Sequence, residues 1–339
     1  MQILCAFVFS TVILAISAIQ PGSAEPLTLR VSYPLPSDVS GNFDHLAIDT
    51  QGKRLFVTPE AYKSVMVMDY TTGKVIQVIK GIGTPHAVLY RQDLNRIYVT
   101  DGDPGEVKIF DGGSYALIKS IPLLAHTDSI RYDTRTGYLY VITGGRDAKQ
   151  SSSTISIIDT TSGKNAGSIV VDSEALEAMM IDSAAERLYV VDKAKNRIDV
   201  IDLHTRSLTV SWPITLGNNS TSLALDAEHH WLFVGCRSGN LVLFDSLSGK
   251  ELTSLTLTKG VDDMVFDSES KRLYASCGDG QGVVEVYEET TSGQLVSSGR
   301  IPSGPSGKTS LLSTSLQQFF VSVPRHGDAA AAVLVFDVH

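Results

Sequence analysis

A triplet of a bulky apolar residue, an aromatic residue and a further apolar residue recurs seven times along the chain. The triplets begin at Leu55, Ile97, Leu139, Leu188, Leu232, Leu273 and Phe319. Successive triplets start 42, 42, 49, 44, 41 and 46 residues apart. A period of about 40–50 residues made of short strands is typical of a repeated four-stranded unit, the blade of a β-propeller. The sequence therefore predicts an all-β, seven-bladed β-propeller.

Each triplet lies inside a longer shared pattern. An apolar run ending in Asp comes before most triplets, as at Asp49 and Asp133, and a second such run follows, as at Asp69 and Asp111. The β-branched and aromatic content of these runs, with Gly, Ser and Asp between them, favours strands. Lys or Arg often stands directly before the triplet, as Arg54, Arg96, Arg187 and Arg272 do. Departures are Tyr90 and Ser313 in the first run and Tyr287-Glu288 in the second.

The two ends of the chain complement each other. The last repeat stops at His339, before an outer strand, and the segment 27–35 (LTLRVSYPL) is a strand without the rest of its blade. We predict that this N-terminal strand completes the seventh blade and closes the ring, because closure removes two exposed sheet edges. Residues 25–339 are then a single propeller domain.

The first 24 residues have the pattern of a signal peptide. Residues 3–19 are apolar, and the small residues Gly22 and Ala24 suit cleavage before Glu25. The segment carries no Lys or Arg, and an uncleaved membrane anchor is the alternative. We expect a periplasmic or secreted protein with no stable membrane insertion after cleavage.

Charge and cysteine content narrow the classes of partner. The formal net charge is −9, with no basic stripe, which disfavours binding to nucleic acid. Cys236 and Cys277 occupy the same register in adjacent blades. Equivalent positions in neighbouring blades lie farther apart than the limit of about 7 Å between Cα atoms for a disulfide. We therefore predict two free thiols, and we expect a monomer.

Several segments resemble a known family. IYVTDG at 97–102 is close to the YVTN signature, and the segments 43–57 and 308–327 resemble bacterial YncE-like YVTN-repeat propellers. The resemblance covers residues 27–339. It implies an extracytoplasmic seven-bladed propeller and no single shared reaction.

Repeat symmetry brings distant polar residues to one mouth of the central channel. Aligning the repeats on the Asp of the first run gives a first column of Asp44, Pro85, Asp128, Glu177, Thr221, Asp262 and Lys308. The next position gives a second column of His45, His86, Ser129, Ala178, Ser222, Asp263 and Thr309. Because neighbouring strand residues face opposite ways, we expect only one of the two columns to face the channel.

This set of residues has three interpretations. The first is structural, with Asp and His bonding to loop backbone. The second is a divalent cation: carboxylates suit Ca²⁺, whereas His with carboxylates suits Zn²⁺ or Mn²⁺, and the predicted ligands are then His45, His86 and Asp263. The third is a metal-free pocket for a small cationic or polar ligand. If the first column faces the channel, the binding residues are Asp44, Asp128, Glu177 and Asp262, with Lys308 as counter-charge.

The loops after the triplets add charged residues to the same face. They are Glu60, Asp101, Asp103, Arg146, Asp192, Lys193, Arg237, Asp279, Arg325 and His326. The longest loop, residues 142–154, is rich in Gly and Ser, and we expect it to be mobile. Because recognition is concentrated on long loops of rigid scaffolds, we assign binding roles to Arg146, Arg237, Arg325 and His326 as well as to the channel residues.

The leading functional hypothesis is a binding scaffold that holds a protein, peptide or small ligand at the channel mouth. The chain has no G-x-S-x-G, H-E-x-x-H or C-x-x-C motif. One alternative is a metal-dependent hydrolase or lyase, lactonase-like or streptogramin-lyase-like by analogy of fold, with His86 or His45 as the catalytic base. A further alternative is a partner of a periplasmic redox enzyme, although Trp212 and Trp231 do not repeat from blade to blade. The only cofactor suggested is a divalent cation.

Overall fold

The computed structural model describes residues 25–290 and 293–339, which form seven four-stranded antiparallel sheets. The predicted signal peptide, with Cys5, lies outside the described residues. The strands of the first four blades, from the channel outward, are β2 Ala47–Asp49, β3 Arg54–Val57, β4 Val65–Asp69 and β5 Val75–Ile79; β6 Pro85–Arg91, β7 Arg96–Asp101, β8 Glu106–Asp111 and β9 Leu117–Pro122; β10 Ile130–Asp133, β11 Tyr138–Gly144, β12 Ser153–Asp159 and β13 Lys164–Val171; β14 Leu176–Asp182, β15 Arg187–Asp192, β16 Arg197–Asp202 and β17 Ser207–Pro213.

The remaining three blades have the same order. They consist of β18 Ser220–Asp226, β19 Trp231–Cys236, β20 Asn240–Asp245 and β21 Glu251–Thr256; β22 Val261–Asp267, β23 Arg272–Cys277, β24 Val283–Glu289 and β25 Leu295–Pro302; β26 Thr309–Ser313, β27 Gln318–Val323, β28 Ala332–Val338 and β1 Leu27–Pro34. Short 3₁₀ turns are Glu60–Tyr62, Arg146–Ala148 and Thr314–Leu316.

The ring closes through the two ends of the chain. Strand β1 pairs antiparallel with β28, from Leu27 opposite Val338 to Pro34 opposite Ala332. The sheet order β1-β28-β27-β26 makes the N-terminal strand the outer strand of the seventh blade. The predicted all-β, seven-bladed ring, closed by the N-terminal strand, is confirmed.

The repeated triplet is the packing unit between blades. In the first blade, Leu55 and Val57 face back into the core shared with the seventh blade, while Phe56 faces forward into the core shared with the second. The same division holds at all seven triplets, whose residues are at most 2% exposed. Since alternate strand residues point to opposite faces, one aromatic residue flanked by two apolar residues fills both interfaces of a blade.

The basic residue before the triplet connects neighbouring blades. Arg187 Nη1 donates to the carbonyl oxygen of Ser246 in the next blade, at 3.0 Å, and Arg96 Nη1 donates to that of Thr161 at 3.4 Å. Arg54 and Arg272 make the equivalent bonds to Gly112 and His339. These contacts explain why Arg recurs at this position.

The Asp that ends each run terminates its strand. Asp111 Oδ1 accepts hydrogen bonds from the backbone N–H groups of Gly113 and Ser114, at 3.0 and 2.8 Å. These hydrogen bonds lower the pKa of Asp111. The side chain thus satisfies turn donors that would otherwise have no partner. Asp111 is therefore a turn residue, and its role explains why Asp recurs at the end of the runs.

Two further predictions concern the cysteines and the longest loop. Cys236 and Cys277 are free and buried, as their register predicted. The predicted loop 142–154 is shorter in the structure, because β11 continues to Gly144 and β12 begins at Ser153. Within the described ranges, no helix is long and apolar enough to span a membrane.

Candidate functional site

A polar cavity of about 150 Å³ lies where the inner strands begin, at one mouth of the channel. Its charged lining consists of Asp44, His45, Glu60, His86, Asp128, Arg131, Glu177, Arg237, Asp262, Asp263 and Lys308. These side chains come from all seven blades, so repeat symmetry alone brings them together.

Both polar columns face this cavity, so the expectation that only one would do so is wrong. Every member of the two columns lines the cavity except Pro85 and Thr309. The inner strands of the second, fourth, fifth and sixth blades have register shifts at their first residues, where consecutive residues oppose a single partner. Such a bulge interrupts the alternation of side chains. In the first blade Asp44 and His45 precede β2, so the alternation does not apply to them.

Two histidines and two aspartates form a continuous chain across the mouth. His86 Nδ1 lies 2.9 Å from Asp44 Oδ2, and the other oxygen of Asp44 lies 3.4 Å from His45 Nε2. His45 Nδ1 in turn lies 3.0 Å from Asp263 Oδ1. The backbone N–H of Ser310 donates to Asp263 Oδ2 at 2.9 Å. This chain connects the second, first, sixth and seventh blades and so bridges the closure of the ring.

Both imidazoles are held in the protonated form. Burial by itself would lower the pKa of His45, but the charges of Asp263 and Asp44 outweigh it and raise the pKa to about 10. For His86 burial is likewise outweighed, by the hydrogen bond to Asp44 and the charge of Asp128, and the pKa rises to about 9. A general base must be neutral to accept a proton. Raised pKa values favour roles for His45 and His86 as acids or hydrogen-bond donors at neutral pH, and their role as catalytic bases stays a prediction.

The opposite side of the cavity is already neutralised. Lys308 Nζ lies 2.7 Å from Asp262 Oδ2, and Arg237 bonds to the other oxygen of Asp262. Glu177 pairs with Lys193 Nζ at 2.6 Å. The cations on this side are therefore occupied by carboxylates of the protein.

Among the described residues, two carboxylates of the lining form no hydrogen bond with a cation. Among the described residues the side chain of Glu60 has no hydrogen bond or ion pair, and burial together with the charge of Asp44 raises its pKa. Asp128 lies 3.8 Å from His86 and 3.6 Å from His126, which is beyond hydrogen-bond distance. One side of the cavity is therefore acidic, because it is lined by the carboxylates of Glu60 and Asp128 and by Asp44, which lies between the two imidazoles.

The set of residues that could hold a metal differs from the predicted set of His45, His86 and Asp263. In the described ranges, one ligand atom each from Asp44, Glu60 and His86 lie within 4.8 Å of one another. His45 and Asp263 are paired with each other and are not part of this group. A second cluster, Asp226, Glu228 and His229, lies at a hairpin after the inner strand of the fifth blade.

Only part of the predicted loop set reaches the cavity. Glu60 and Arg237 line it, whereas Arg146 pairs with Glu174 at 3.3 Å in a separate groove. Arg325 bonds to the carbonyl of Ser37, and His326 forms a bridge with Ala329. The side chains of Arg325 and His326 do not line the cavity.

Sequence reasoning missed Arg131. It lines the cavity from β10, two residues beyond Ser129 of the second column. Because alternation places residues i and i+2 of a strand on the same face, Ser129 in the second column could have been used to predict that Arg131 faces the cavity.

The protonated imidazoles predict a pH-dependent stability. A histidine whose pKa is higher in the folded than in the unfolded state stabilises the folded protein. This stabilisation is complete at pH values below the pKa of the unfolded state, about 6.5. That stabilisation is lost as the pH rises through about 9 for His86 and about 10 for His45. We expect the difference in urea midpoint between wild type and His86→Asn to be large near pH 6 and to shrink steadily toward pH 10. The exposed His204→Asn is the control, and a constant difference for His86→Asn across this range would contradict the pairing.

Comparison with curated proteins finds partial relatives. The chain is 28% identical over 112 residues to the uncharacterized protein YncE of Salmonella typhi, and 27% identical to YncE of Salmonella typhimurium strain LT2. The match covers 33% of this chain and spans 31% of the length of the relative. No protein-family model matches the chain, so the YVTN-repeat assignment stays a prediction.

Solved structures share the ring architecture. A chain of the mitotic checkpoint complex superposes with a TM-score of 0.73 over 98% of this chain and 100% of its own length, at 15% identity. Kuenenia stuttgartiensis hydrazine synthase superposes with a TM-score of 0.69 over 86% of this chain and 94% of its own, at 18% identity. Likeness at such identities shows the fold alone. The chain is a seven-bladed β-propeller whose sequence is similar, over a third of its length, to YncE.

Proposed function

We propose that the protein is an exported binding scaffold whose channel mouth holds a positively charged group. The observation that carries this proposal is the pair of carboxylates, Glu60 and Asp128, that line the cavity and form no hydrogen bond with a cation among the described residues. The group is an ammonium or guanidinium, carried by a small ligand or by a Lys or Arg side chain of a partner protein.

The electrostatics of the cavity support a cation on this side and disfavour an anion. A buried carboxylate without a partner is costly, and a bound ammonium offsets that cost. Lys308 and Arg237 do not compete for Glu60 because both are engaged by Asp262. The volume of about 150 Å³ also restricts the occupant. It is below the range of about 300–1,000 Å³ that is typical of sites for drug-sized ligands, so it suits a headgroup or a single side chain.

Calorimetric titration with propylammonium and with neutral propanol tests the charge requirement. We expect binding of propylammonium only, weakened about tenfold by Glu60→Gln and by Asp128→Asn, which corresponds to about 1.4 kcal/mol for each. Glu174→Gln, on the same face but outside the cavity, is the matched control and should bind as wild type does.

A lysine-containing peptide and its norleucine analogue distinguish the source of the cation. Binding of the peptide without binding of propylammonium indicates a partner protein, and binding of propylammonium indicates a small ligand. The proposal fails if propanol or the norleucine peptide binds equally well, or if neither cation binds.

A metal-dependent hydrolase or lyase is the second candidate, and one observation favours it. Asp44, Glu60 and His86 lie close enough together to hold a divalent cation inside the cavity. Such an ion would polarise a substrate carbonyl. Access to His86 is restricted, since Nδ1 is bonded to Asp44 and Nε2 lies against Gly102, where an added Cβ would be 2.7 Å away. The metal would therefore have to displace both a proton and a hydrogen bond.

Zn²⁺ and Mn²⁺ titrations in buffers of different ionisation enthalpy test this candidate. Because the pKa of His86 is about 9, a metal ligated by His86 must release about one proton per ion at neutral pH. We expect His86→Ala to abolish this binding. His229→Ala, which disrupts the second cluster, should leave it unchanged. Stoichiometric binding that persists in His86→Ala without proton release would exclude the channel as a metal site.

The third hypothesis, a partner for a periplasmic redox enzyme, receives no support from the described residues. The likeness to hydrazine synthase is a likeness of fold at 18% identity. This hypothesis stays a prediction.

Export rests on the sequence of residues 1–24. We expect the protein recovered from the periplasm or medium of a bacterial host to begin at Glu25 by intact mass. Ala24→Lys, which replaces the small residue before the cleavage site, should accumulate the uncleaved form. Wild-type protein that keeps residues 1–24 in the membrane fraction would instead favour the anchor.

A further inference from the structure

A second chamber of about 250 Å³ lies along the channel from the mouth cavity. Much of its wall is apolar and consists of Leu46, Val88, Ile130, Val265, Leu311 and Leu312. These residues come from the inner strands or strand starts of five blades, so the chamber is part of the central channel. Residues His45, Arg131 and Asp263 line both cavities and form a charged layer between them.

Arg131 differs from the other cations of the channel because it has no carboxylate partner. Within residues 25–290 and 293–339 its guanidinium makes one hydrogen bond, from Nη1 to the carbonyl oxygen of Ile130 at 2.9 Å, and no ion pair within 4.0 Å. Burial lowers its pKa, and the charge of Asp263 only partly opposes this effect. The cation is therefore partly desolvated and incompletely bonded.

Asp263 is not free to pair with Arg131. One of its oxygens is bonded to His45 at 3.0 Å and the other accepts the backbone N–H of Ser310 at 2.9 Å. A guanidinium has five donors in a planar fork that matches a carboxylate, so most of the capacity of Arg131 is unused.

We propose that this chamber binds a small organic carboxylate, with its carboxylate on Arg131 and a short aliphatic or phenyl body among the apolar side chains. An empty cavity of about 150 Å³ can hold benzene, so the chamber volume suffices for such a body. Phosphate and sulfate fit poorly because the leucine and valine walls offer them no donors. This site takes an anion, and Glu60 and Asp128 line the mouth cavity but not the chamber, so the proposal does not depend on the proposed cation site.

Calorimetric titration with benzoate, acetate and benzyl alcohol, at constant chloride, tests the two requirements. We expect benzoate to bind at least tenfold more tightly than acetate, because its ring is buried, and benzyl alcohol to bind at least tenfold more weakly than benzoate. The substitution Arg131→Met should weaken the binding of benzoate at least tenfold. Arg135→Met, an exposed arginine of the same blade that pairs with Glu186, is the matched control and should not change it.

A second variant keeps the test decisive if Arg131→Met does not fold. Leu312→Phe fills the chamber without removing a charge, and we expect it to weaken benzoate about tenfold while acetate is unaffected. Equal binding of acetate and benzoate, or unchanged benzoate binding in Arg131→Met or Leu312→Phe, would overturn the proposal. Propylammonium binding, which depends on Glu60 and Asp128, should persist in Arg131→Met, so each proposal can fail separately.

Discussion

Each blade holds the next one through the middle side chain of its triplet. Phe56, Tyr98 and their five counterparts cross the interface to the following blade, and the apolar residues beside them face the preceding one. A buried aromatic side chain removes about 150–250 Å² from water, and its loss typically costs about 3–5 kcal/mol. Seven such interfaces require a closed ring, since an open one would leave a triplet unpaired at each end. The pairing of β1 with β28 meets that requirement.

The same ring fixes the chemistry of the channel. Because all inner strands begin at one mouth, charges from all seven blades occupy a cavity of about 150 Å³. Most of them neutralise one another, through His86–Asp44, His45–Asp263 and the pairing of Lys308 and Arg237 with Asp262. The exceptions among the described residues are Glu60 and Asp128, which form no hydrogen bond with a cation, and the cation Arg131, which has no ion pair. Both proposals rest on these uncompensated charges, because a desolvated charge favours an opposite charge supplied from outside.

The protonation state of the two histidines bears on the choice between a binding role and a metal-dependent reaction in this channel. His45 and His86 are protonated because carboxylates outweigh the effect of burial on both. They therefore act as cations and hydrogen-bond donors that connect neighbouring blades. A metal at Asp44, Glu60 and His86 would have to reverse that state, whereas an ammonium at Glu60 and Asp128 would leave it intact. This difference is why the binding role is the stronger proposal.

The sequence by itself determined the fold, because the strand pattern and the packing between blades are local and repeat along the chain. The period of the triplets predicted seven blades. The unpaired segment 27–35 predicted the strand that closes the ring. It also brought Asp44, Asp128, Asp262 and Lys308 to one mouth, since repeat symmetry maps equivalent positions to equivalent places. Only the tertiary structure decided which side chains face the cavity, because bulges at the starts of several inner strands interrupt the alternation that the prediction assumed. It alone decided which charges are paired, since ion pairs such as His45–Asp263 join residues more than two hundred positions apart. For the same reason the isolation of Glu60 and Arg131, on which the two proposals depend, could not be predicted from their neighbours in the chain.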